Sequence, residues 1–376
     1  MKLFHLSDLH LGKRLNEFSM IEDQDYILKE ITAIIEKEKP DGILIAGDVY
    51  DRSVPSEDAM RLWDAFLTGL AKMGTPVFAI SGNHDSAIRL ADHGEIVDAA
   101  GIHLAPVYDG TAKCFALTDG AVTVKIHLLP FLKPAVVRSI FPEEEISDYT
   151  DACRVAIDRM DLDREEINVL VSHQFVTGAE KCESEEITVG GLDNVDAAVF
   201  DGFDYVALGH IHGKQSIGRE TVRYCGTPLK YSFSEKDHEK SITVLSIAGK
   251  GQIGIGEIPL RPLHDLREIR GTYEELTARK NYENTNTEDY IHAILTDEND
   301  VVDAAQKLRV IYPRLMKLTY DNKRTREQQD VTEAENVERR TPIELFEAFY
   351  EKQNNAPMSE AQRTFAMECI ASIWEA

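Results

Sequence analysis

The sequence has no long apolar run, no paired cysteine motif and no excess of positive charge. No apolar stretch reaches the ~18 residues that suggest a transmembrane helix, so no membrane span is expected. The first residues lack the pattern of a signal peptide, so none is expected. The five cysteines are scattered without a C-x-x-C pair. This argues against a disulfide framework or a cysteine zinc site and favours a reducing, cytoplasmic compartment.

The net charge is −25, whereas proteins that bind nucleic acid usually carry a basic surface. A bound pair of divalent metal ions would add about four positive charges, and local charge matters more than the sum. A basic subdomain or a basic partner would be another way to contact phosphates. The sequence also lacks the G-x-x-x-x-G-K-[ST] loop that cradles nucleotide phosphates, so ATP hydrolysis by this chain is not expected.

Short apolar runs alternate with helical patterns in the first half of the chain, which is typical of an α/β protein. Five runs are too short for helices and rich in aliphatic residues. They predict buried strands at Leu3–Leu6, Gly42–Ala46, Pro76–Ile80, Val169–Val171 and Tyr205–Leu208. One intervening helix is predicted to begin after the N-cap Ser56 and to end at Gly74.

The length of 376 residues predicts two or three structural units. Residues 1–262 form the first predicted unit. The pattern then changes, and residues 263–321 are predicted to form a small α+β module. Its predicted elements are strands at Tyr290–Leu295 and Leu315–Tyr320 and a helix at about 300–309.

The end of the chain has a different composition. Residues 322–340 are dense in charge and nearly free of large apolar groups, which predicts a linker. Residues 341–376 are predicted to form two amphipathic helices. Their apolar stripe would pack on its own domain or, in the interpretation we favour, bind a groove of a partner.

Metal-compatible side chains follow each of the five predicted strands. The segments are Ser7-Asp8-Leu9-His10, Gly47-Asp48-Val49-Tyr50-Asp51, Gly82-Asn83-His84-Asp85, Ser172-His173 and Gly209-His210-Ile211-His212. Ligands of open α/β sheets gather beyond the carboxyl ends of the strands. If the strands are neighbours, these side chains therefore meet at one rim.

These side chains form a coherent set of metal donors. Carboxylates, imidazoles and a carboxamide without a thiolate suit manganese, iron or zinc. In Asp8-x-His10 and His210-x-His212, residues two apart on an extended backbone would point the same way. A carboxylate can bridge two ions about 3.5–4 Å apart, as in two-metal hydrolases that activate water. The segments therefore predict a two-metal phosphodiesterase site.

Each residue has an ordinary interpretation when it is taken alone. His10 or His173 would more often be a surface or core histidine. Asp48 could be a cap and Asn83 a turn residue. Five strand ends that all carry such residues are a stronger signal than any single motif.

The five segments resemble, in order and spacing, the signature motifs of the calcineurin-like metallophosphoesterases. The wider sequence is similar to the SbcD family, the nuclease subunits of bacterial SbcCD complexes. The similarity covers essentially the whole chain and is most specific in residues 1–262. It is carried by Leu6-Ser7-Asp8-Leu9-His10-Leu11-Gly12, by Leu128-Leu129-Pro130-Phe131 and by the stretch Gly226–Glu235. The resemblance implies an α/β (α+β) fold, a four-layer αββα sandwich with a small α+β cap domain and C-terminal helices.

The resemblance also implies roles for individual residues. Two ligand sets would share a bridging carboxylate: Asp8, His10, Asp48 and His212 for one ion, and Asp48, Asn83, His173 and His210 for the other. His84 would be catalytic without being a ligand, because it would position the phosphodiester and protonate the leaving oxygen. Asp51 would support catalysis by orienting a neighbouring group.

In this family the two divalent ions are typically manganese. The implied activity is that of an exonuclease on duplex ends and an endonuclease on single strands and hairpins, in DNA repair, recombination and replication. The implied partner is an SbcC-like ATPase of the SMC type, in a heterotetramer built on a homodimer, in the cytoplasm at the nucleoid. Residues 263–321 would be a DNA-binding cap, and residues 341–376 would dock on the coiled coil of the ATPase.

Basic residues supply further predicted DNA contacts. Lys13 and Arg14 directly follow the first metal motif. Arg52 would contact a substrate phosphate or form a surface ion pair. A second group would contact phosphates or form a solvated face balanced by acidic residues: Lys307, Arg309, Arg314, Lys317, Lys323, Arg324 and Arg326.

Two other functions remain open. One is a phosphatase or small-molecule phosphodiesterase on the same scaffold, because Asp51-Arg52 also occurs in the phosphatase branch. The chain beyond residue 262, Ser53 in place of glycine and Asp85 in place of glutamate argue against it. The other is a non-catalytic assembly subunit, against which the complete ligand set argues.

Overall fold

Two β-sheets that pack face to face form the centre of the protein. The computed structural model describes residues 1–90, 98–185, 194–323, 325, 346–347, 350, 358–360 and 362–367. Within them, the first strands along the chain are β1 (Lys2–Leu6), β2 (Arg14–Leu15), β3 (Phe18–Ser19), β4 (Gly42–Ala46), β5 (Val77–Ile80) and β6 (Ile102–Ala105). The next strands are β7 (Lys113–Thr118), β8 (Thr123–Leu129), β9 (Ile167–His173), β10 (Phe175–Val176), β11 (Asn194–Val195), β12 (Tyr205–Gly209), β13 (Gln215–Ile217) and β14 (Arg219–Tyr224).

The remaining strands and the helices complete the described elements. The strands are β15 (Ser241–Gly249), β16 (Gln252–Pro259), β17 (Leu266–Gly271), β18 (Tyr290–Leu295) and β19 (Leu315–Tyr320). The helices are α1 (Ile21–Glu38), α2 (Glu57–Met73), α3 (Ala87–Leu90), α4 (Pro134–Ile140), α5 (Tyr149–Asp158), α6 (Tyr273–Thr277), α7 (Arg279–Tyr282) and α8 (Ala304–Arg309).

The layers follow the order helix, sheet, sheet, helix. One sheet has the order β16-β15-β1-β4-β5-β6 and the other has the order β13-β14-β12-β9-β8-β7. Their inner faces share one apolar core, in which Phe78 of the first sheet and Tyr205 of the second are fully buried. Helices α1 and α2 cover the outer face of the first sheet, and α4 and α5 cover that of the second. The predicted αββα sandwich is therefore confirmed.

Local sequence signals explain the ends of the elements. The five predicted strands are present, with bounds that differ by at most two residues at either end. Helix α2 begins where the Ser56 hydroxyl accepts a hydrogen bond from the Ala59 N–H at 3.2 Å. It ends at Gly74, which adopts a left-handed φ of 71°. Both predicted helix boundaries are confirmed.

Within each of the two sheets, the carboxyl ends of neighbouring parallel strands lie side by side. In the first sheet Leu6 pairs with Ile45, and Ala46 with Ile80. In the second sheet Gly209 pairs with His173. The predicted rim is therefore shared by two facing sheets, since the five strands do not all belong to one sheet.

Residues 266–320 form a third, three-stranded parallel sheet with the order β17-β18-β19. Helices α6 and α8 cover one face, and the other face packs on Met20 and Phe18 of the sandwich. The predicted strands β18 and β19 are confirmed. Helix α8 is shorter than the predicted 300–309, because Asp303 before it has a left-handed φ of 54°. The functional division into domains remains a prediction.

The predicted linker at 322–340 lies almost entirely outside the described residues, and most of the predicted helical segment 341–376 lies outside them too. Within that segment, residues 346–347, 350, 360 and 362–367 are helical. Among the residues that are described, no helix is both long and apolar enough to cross a membrane.

Candidate metal centre

Carboxylate and imidazole groups from distant parts of the chain meet at the shared rim. The His10 and His212 Nε2 atoms lie 3.1 Å apart. One Asp8 carboxylate oxygen lies within 4.8 Å of a ring nitrogen of each of these histidines. The main-chain N–H of His210 donates to this carboxylate at 2.9 Å, which fixes Asp8 beside the end of β12. These contacts assemble one half of the site.

Asp48 lies between this half and a second group of donors. Its Oδ2 atom is 3.7 Å from His10 Nε2 and 3.3 Å from His173 Nε2. In the second half, the Asn83 side-chain oxygen lies 3.0 Å from His173 Nε2 and 3.0 Å from His210 Nδ1. The structure thus brings all seven predicted ligands together, with Asp48 between two sets.

The backbone at the strand ends is not extended, contrary to the reasoning from the D-x-H and H-x-H spacing. Positive φ angles occur at Asp8 (53°), His10 (45°), Asp48 (48°) and His210 (98°). Residues other than glycine rarely adopt this conformation, and such strain concentrates at functional sites. At the ends of β1, β4 and β12, the side chains therefore reach the site through a sharp turn of the chain.

Two glycines permit the close approach of the two sheets. A Cβ atom at Gly209 would overlap the Ala46 carbonyl oxygen and contact the His173 ring. Gly47 has a φ of +84°, and a Cβ there would also collide with His173. Both positions therefore require glycine for the His173 ring to occupy its place.

The His173 ring is oriented by the backbone. Its Nδ1 atom lies 2.7 Å from the Ala46 carbonyl oxygen and donates to it, which leaves Nε2 facing Asp48 and Asn83. Burial lowers the pKa of His173, but the adjacent Asp48 carboxylate outweighs burial and raises this pKa to about 9. Burial would raise the pKa of Asp48, and the His173 imidazole beside it holds that pKa well below its usual range.

Burial also shifts the pKa values of three further donors at the site, in the direction that disfavours the charged form. Burial lowers the pKa of His210 to about 3 and lowers that of His10. Burial raises the pKa of the Asp8 carboxyl group. The His10 Nδ1 atom is buried and has no hydrogen-bond partner among the described residues. Imidazoles and carboxylates clustered in this way are a donor set that suits divalent metals.

His84 lies at the edge of the cluster, with a side chain that is 16% exposed. Its Nδ1 atom donates to the main-chain oxygen of Asp51 at 3.0 Å, and its main-chain N–H donates to Asp48 at 2.9 Å. The Asp51 carboxylate instead accepts from Lys13 at 2.7 Å and lies 3.8 Å from His10 Nδ1. Asp51 therefore orients His84 through its backbone, while its carboxylate contacts other groups.

Asp85 joins two of the ligand-bearing loops. Its carboxylate accepts main-chain hydrogen bonds from Gly82 at 2.9 Å, Val49 at 3.1 Å and Tyr50 at 2.8 Å. Burial and the neighbouring Asp48 raise its pKa to about 6. This residue appeared in the third motif without an assigned role, and its contacts show that it holds the Asp48 loop against the Asn83 loop.

Comparison with known proteins identifies the family of this fold and site. The model of the family described as calcineurin-like phosphoesterase matches residues 1–214. The chain belongs to the calcineurin-like phosphoesterases. A second model, described as the type 5 capsule protein repressor C-terminal domain, matches residues 262–354.

A curated protein resembles the chain over nearly its whole length. The chain is 32% identical over 369 residues to a Staphylococcus epidermidis protein named as the SbcD subunit of the nuclease SbcCD, with 96% of each chain covered. The resemblance to the SbcD family is thereby confirmed.

Two solved structures are more distant. TT1561 of Thermus thermophilus is 11% identical, with 68% of this chain and 98% of that chain covered and a TM-score of 0.38. The phosphoesterase YfcE of E. coli is 13% identical, with 69% and 100% covered and a TM-score of 0.29.

The predicted DNA-binding residues near the phosphoesterase centre differ in accessibility. The Lys13 side chain is only 14% exposed and is paired with Asp51. Arg14 is exposed and donates to the main-chain oxygen of Glu17 at 2.7 Å. Arg52 is 79% exposed, with Nε 3.7 Å from an Asp51 carboxylate oxygen. Of the three, Arg14 and Arg52 are accessible to a phosphate, and their DNA contacts remain predictions.

Two of the predicted basic residues of the third sheet have acidic partners. Arg309 contacts Glu17 at 2.6 Å, and Arg314 contacts Glu288 at 2.5 Å. Lys307 and Lys317 are exposed. The side chains of Arg324 and Arg326 are not among those that the structure describes, so only part of the predicted basic group can be located.

Four residues around His212 were not predicted to act at the site. Ser184 Oγ lies 2.7 Å from His212 Nδ1 and 2.6 Å from Glu235 Oε1. The other two residues are Glu185 and Lys240, which contact the backbone of His212. Glu235 is the last residue of the stretch Gly226–Glu235, which carried the family resemblance. That resemblance could therefore have pointed to Glu235 as a residue of the site.

Proposed function

We propose that this chain is a nuclease that hydrolyses phosphodiester bonds in DNA with the help of two divalent metal ions. The observation that carries the proposal is the position of Asp48. Its carboxylate lies between His10 and His173, which belong to two separate donor sets. A carboxylate between two such sets suits a pair of ions that share one ligand.

The donor set fits manganese, which is our proposed metal. When bound, the pair would activate a water molecule and offset the charge that develops on phosphorus. We assign Asp8, His10, Asp48 and His212 to one ion and Asp48, Asn83, His173 and His210 to the other.

His84 is the proposed catalytic residue outside the ligand sets. Because the main-chain oxygen of Asp51 accepts from Nδ1, the ring presents Nε2 as its free nitrogen at the edge of the site. We assign to this nitrogen, when the ring carries a proton on both nitrogens, the positioning of the phosphodiester and the donation of the Nε2 proton to the leaving oxygen, which leaves the ring neutral.

The choice of DNA as substrate rests on the similarity to a nuclease subunit over 96% of the chain. By this similarity we propose exonuclease activity on duplex ends and endonuclease activity on single strands and hairpins, in DNA repair, recombination and replication. We also propose an SbcC-like ATPase partner, a homodimer within a heterotetramer, and a cytoplasmic location at the nucleoid.

Residues 263–321 are the proposed DNA-binding cap, and residues 341–376 are proposed to dock on the coiled coil of the ATPase. The net charge of −25 opposes DNA binding in general. The two ions and the accessible Arg14 and Arg52 provide local positive charge where the phosphate would lie.

The test is cleavage of a labelled hairpin duplex by the purified protein with manganese, with and without chelator and the partner ATPase. We expect cleavage that requires manganese and increases with the ATPase and ATP. Turnover of p-nitrophenyl phosphate or of a phosphopeptide without any cleavage of DNA would instead identify a phosphatase.

The docking proposal has a separate test in the same assay. A chain that lacks residues 341–376 should retain manganese-dependent cleavage of single strands and lose the ATP-stimulated cleavage of duplex ends. An unchanged response to ATP would contradict docking through this segment.

A further inference from the structure

A buried chain of hydrogen bonds extends from His212 away from the metal centre. His212 Nδ1 lies 2.7 Å from Ser184 Oγ, which in turn lies 2.6 Å from Glu235 Oε1. The second oxygen of Glu235 contacts Lys240 Nζ at 2.5 Å. Glu235 is fully buried and the Lys240 side chain is 7% exposed. The chain therefore ends in an ion pair that is almost completely shielded from water.

The direction of each hydrogen bond follows from the chemistry of the groups. A carboxylate paired with a lysine can only accept hydrogen bonds, so the single hydroxyl proton of Ser184 must point to Glu235. The Ser184 oxygen can then only accept from His212, which requires a proton on Nδ1. The His212 ring is thereby left with its lone pair on Nε2, the atom that lies 3.1 Å from His10 Nε2.

The same region also holds the backbone of His212. Its main-chain N–H donates to Glu185 Oε1 at 2.7 Å, and its carbonyl oxygen accepts from Lys240 Nζ at 3.0 Å. Lys240 also donates to the Thr227 hydroxyl at 2.7 Å. The backbone and the ring of His212 are therefore both fixed by side chains of residues that do not enter the metal centre.

A buried ion pair is a poor way to stabilise a fold, because removing two charges from water opposes their attraction. Orientation of a metal-binding histidine through its second nitrogen is a known use of buried carboxylates. Here a serine hydroxyl is inserted between the carboxylate and the ring.

We propose that Ser184 and Glu235 are positioning residues that hold the His212 ring with Nδ1 protonated, so that Nε2 is free to bind a divalent cation. This inference deepens the proposed function and rests on it in taking His212 as a metal ligand. Neither residue touches the cation or the substrate. Their effect reaches the site only through the tautomer and the orientation of His212.

The test compares Ser184→Ala with Ser184→Thr, which keeps a hydroxyl at the same position. Ser139→Ala is the control, since it removes a hydroxyl that donates to the Val136 main-chain oxygen within α4 and has no contact with His212 or Glu235 among those the structure records. Each full-length protein is titrated with Mn²⁺ in a calorimeter and with Co²⁺ in a spectrophotometer, where the visible absorption of Co²⁺ reports its coordination.

We expect Ser184→Ala to weaken one of two Mn²⁺-binding events about 10- to 100-fold, the usual effect of removing such a partner. Its Co²⁺ spectrum should change for that event alone. Ser184→Thr should restore most of the affinity and the spectrum, and Ser139→Ala should match the wild type. Two wild-type affinities in Ser184→Ala would overturn the proposal, as would a wild-type protein that binds no cation.

A second measurement reads the tautomer without any metal. The ¹⁵N chemical shifts of labelled histidines, with His212 assigned by substitution, should show a protonated Nδ1 in the wild type and a mixture in Ser184→Ala. An unprotonated Nδ1 in the wild type would contradict the proposed positioning of His212 by Ser184 and Glu235. Hairpin cleavage is measured separately. If the protein shows the expected Mn²⁺ affinities and ¹⁵N chemical shifts but cuts no DNA, the proposed nuclease activity is refuted, and the proposed positioning of His212 still holds.

Discussion

His173 and His212 face the same centre, but their second ring nitrogens are held in different ways. The Nδ1 atom of His173 donates to a main-chain carbonyl, that of Ala46. The Nδ1 atom of His212 donates to Ser184, which is supported by the buried pair of Glu235 and Lys240. The backbone arrangement needs no additional charge, whereas the side-chain arrangement needs a buried ion pair behind the ring.

This difference predicts which substitutions should disturb each half of the candidate metal centre. The carbonyl of Ala46 cannot be removed by substitution, so the His173 half is sensitive to added volume at the glycines around it. The His212 half contains replaceable polar groups and is sensitive to single polar substitutions. In our proposal Asp48 is shared by both halves, and His84 is in neither ligand set.

The largest effect is expected for Asp48→Ala, because it removes the carboxylate between the two halves. Both Mn²⁺-binding events should weaken by more than the roughly 10- to 100-fold effect of an outer partner. Calorimetry measures the two affinities, and circular dichroism checks that the variant is folded. If one ion still binds with wild-type affinity, Asp48 is not shared.

His84→Ala should separate catalysis from binding. We expect two ions to bind as in the wild type while turnover of a DNA hairpin falls about 10²- to 10⁴-fold, the usual contribution of a general acid. Metal content and hairpin cleavage are measured on the same preparation. Loss of an ion in this variant would show that His84 is a ligand.

Lys240→Met should lower the stability of the protein, because it removes the charge that pairs with Glu235 behind His212. Glu235 would be left as a buried, unpaired carboxylate, which reduces the free energy of unfolding by about 3–5 kcal/mol. The control is Lys29→Met, since Lys29 forms an exposed pair with Asp25. This control should change stability by less than about 1 kcal/mol in urea unfolding, and equal effects of the two substitutions would contradict the buried pair.

Gly209→Ala should also lower the stability of the protein, because the added methyl group has no space beside His173. The new methyl group would collide with the Ala46 carbonyl, and such collisions typically reduce stability by about 1–3 kcal/mol. Gly69→Ala in α2 is the control, because nothing lies within 4 Å of its Cβ position. A helical Gly-to-Ala change should stabilise by up to about 1 kcal/mol. If Gly209→Ala is also stabilising, the two sheets do not approach as closely as described.

The same contrast explains what the sequence could predict. Strands such as Gly42–Ala46 and the cap at Ser56 depend on local residue patterns, and these predictions are confirmed. The ligands follow the strands directly, so they too could be predicted from the order of residues along the chain. The Ala46 carbonyl that holds His173 has no side chain to reveal it and became visible only in the structure.

Contacts between distant segments could not be predicted in this way. Ser184 and Glu235 lie 28 residues before and 23 residues after His212, on segments that no local period connects. Strand β15 returns to pair with β1, with Lys2 opposite Ser246, so the sheet membership depends on a long-range pairing. The left-handed turns at Asp8 and His10 are uncommon for residues other than glycine, and the prediction placed these residues on extended backbone.

The most direct test of the central claim is anomalous diffraction from crystals soaked in manganese. Two peaks about 3.5–4 Å apart are predicted, with the Asp48 carboxylate between them. One peak should be surrounded by Asp8, His10 and His212, and the other by Asn83, His173 and His210. A single peak, or peaks away from these side chains, would contradict the two-metal centre.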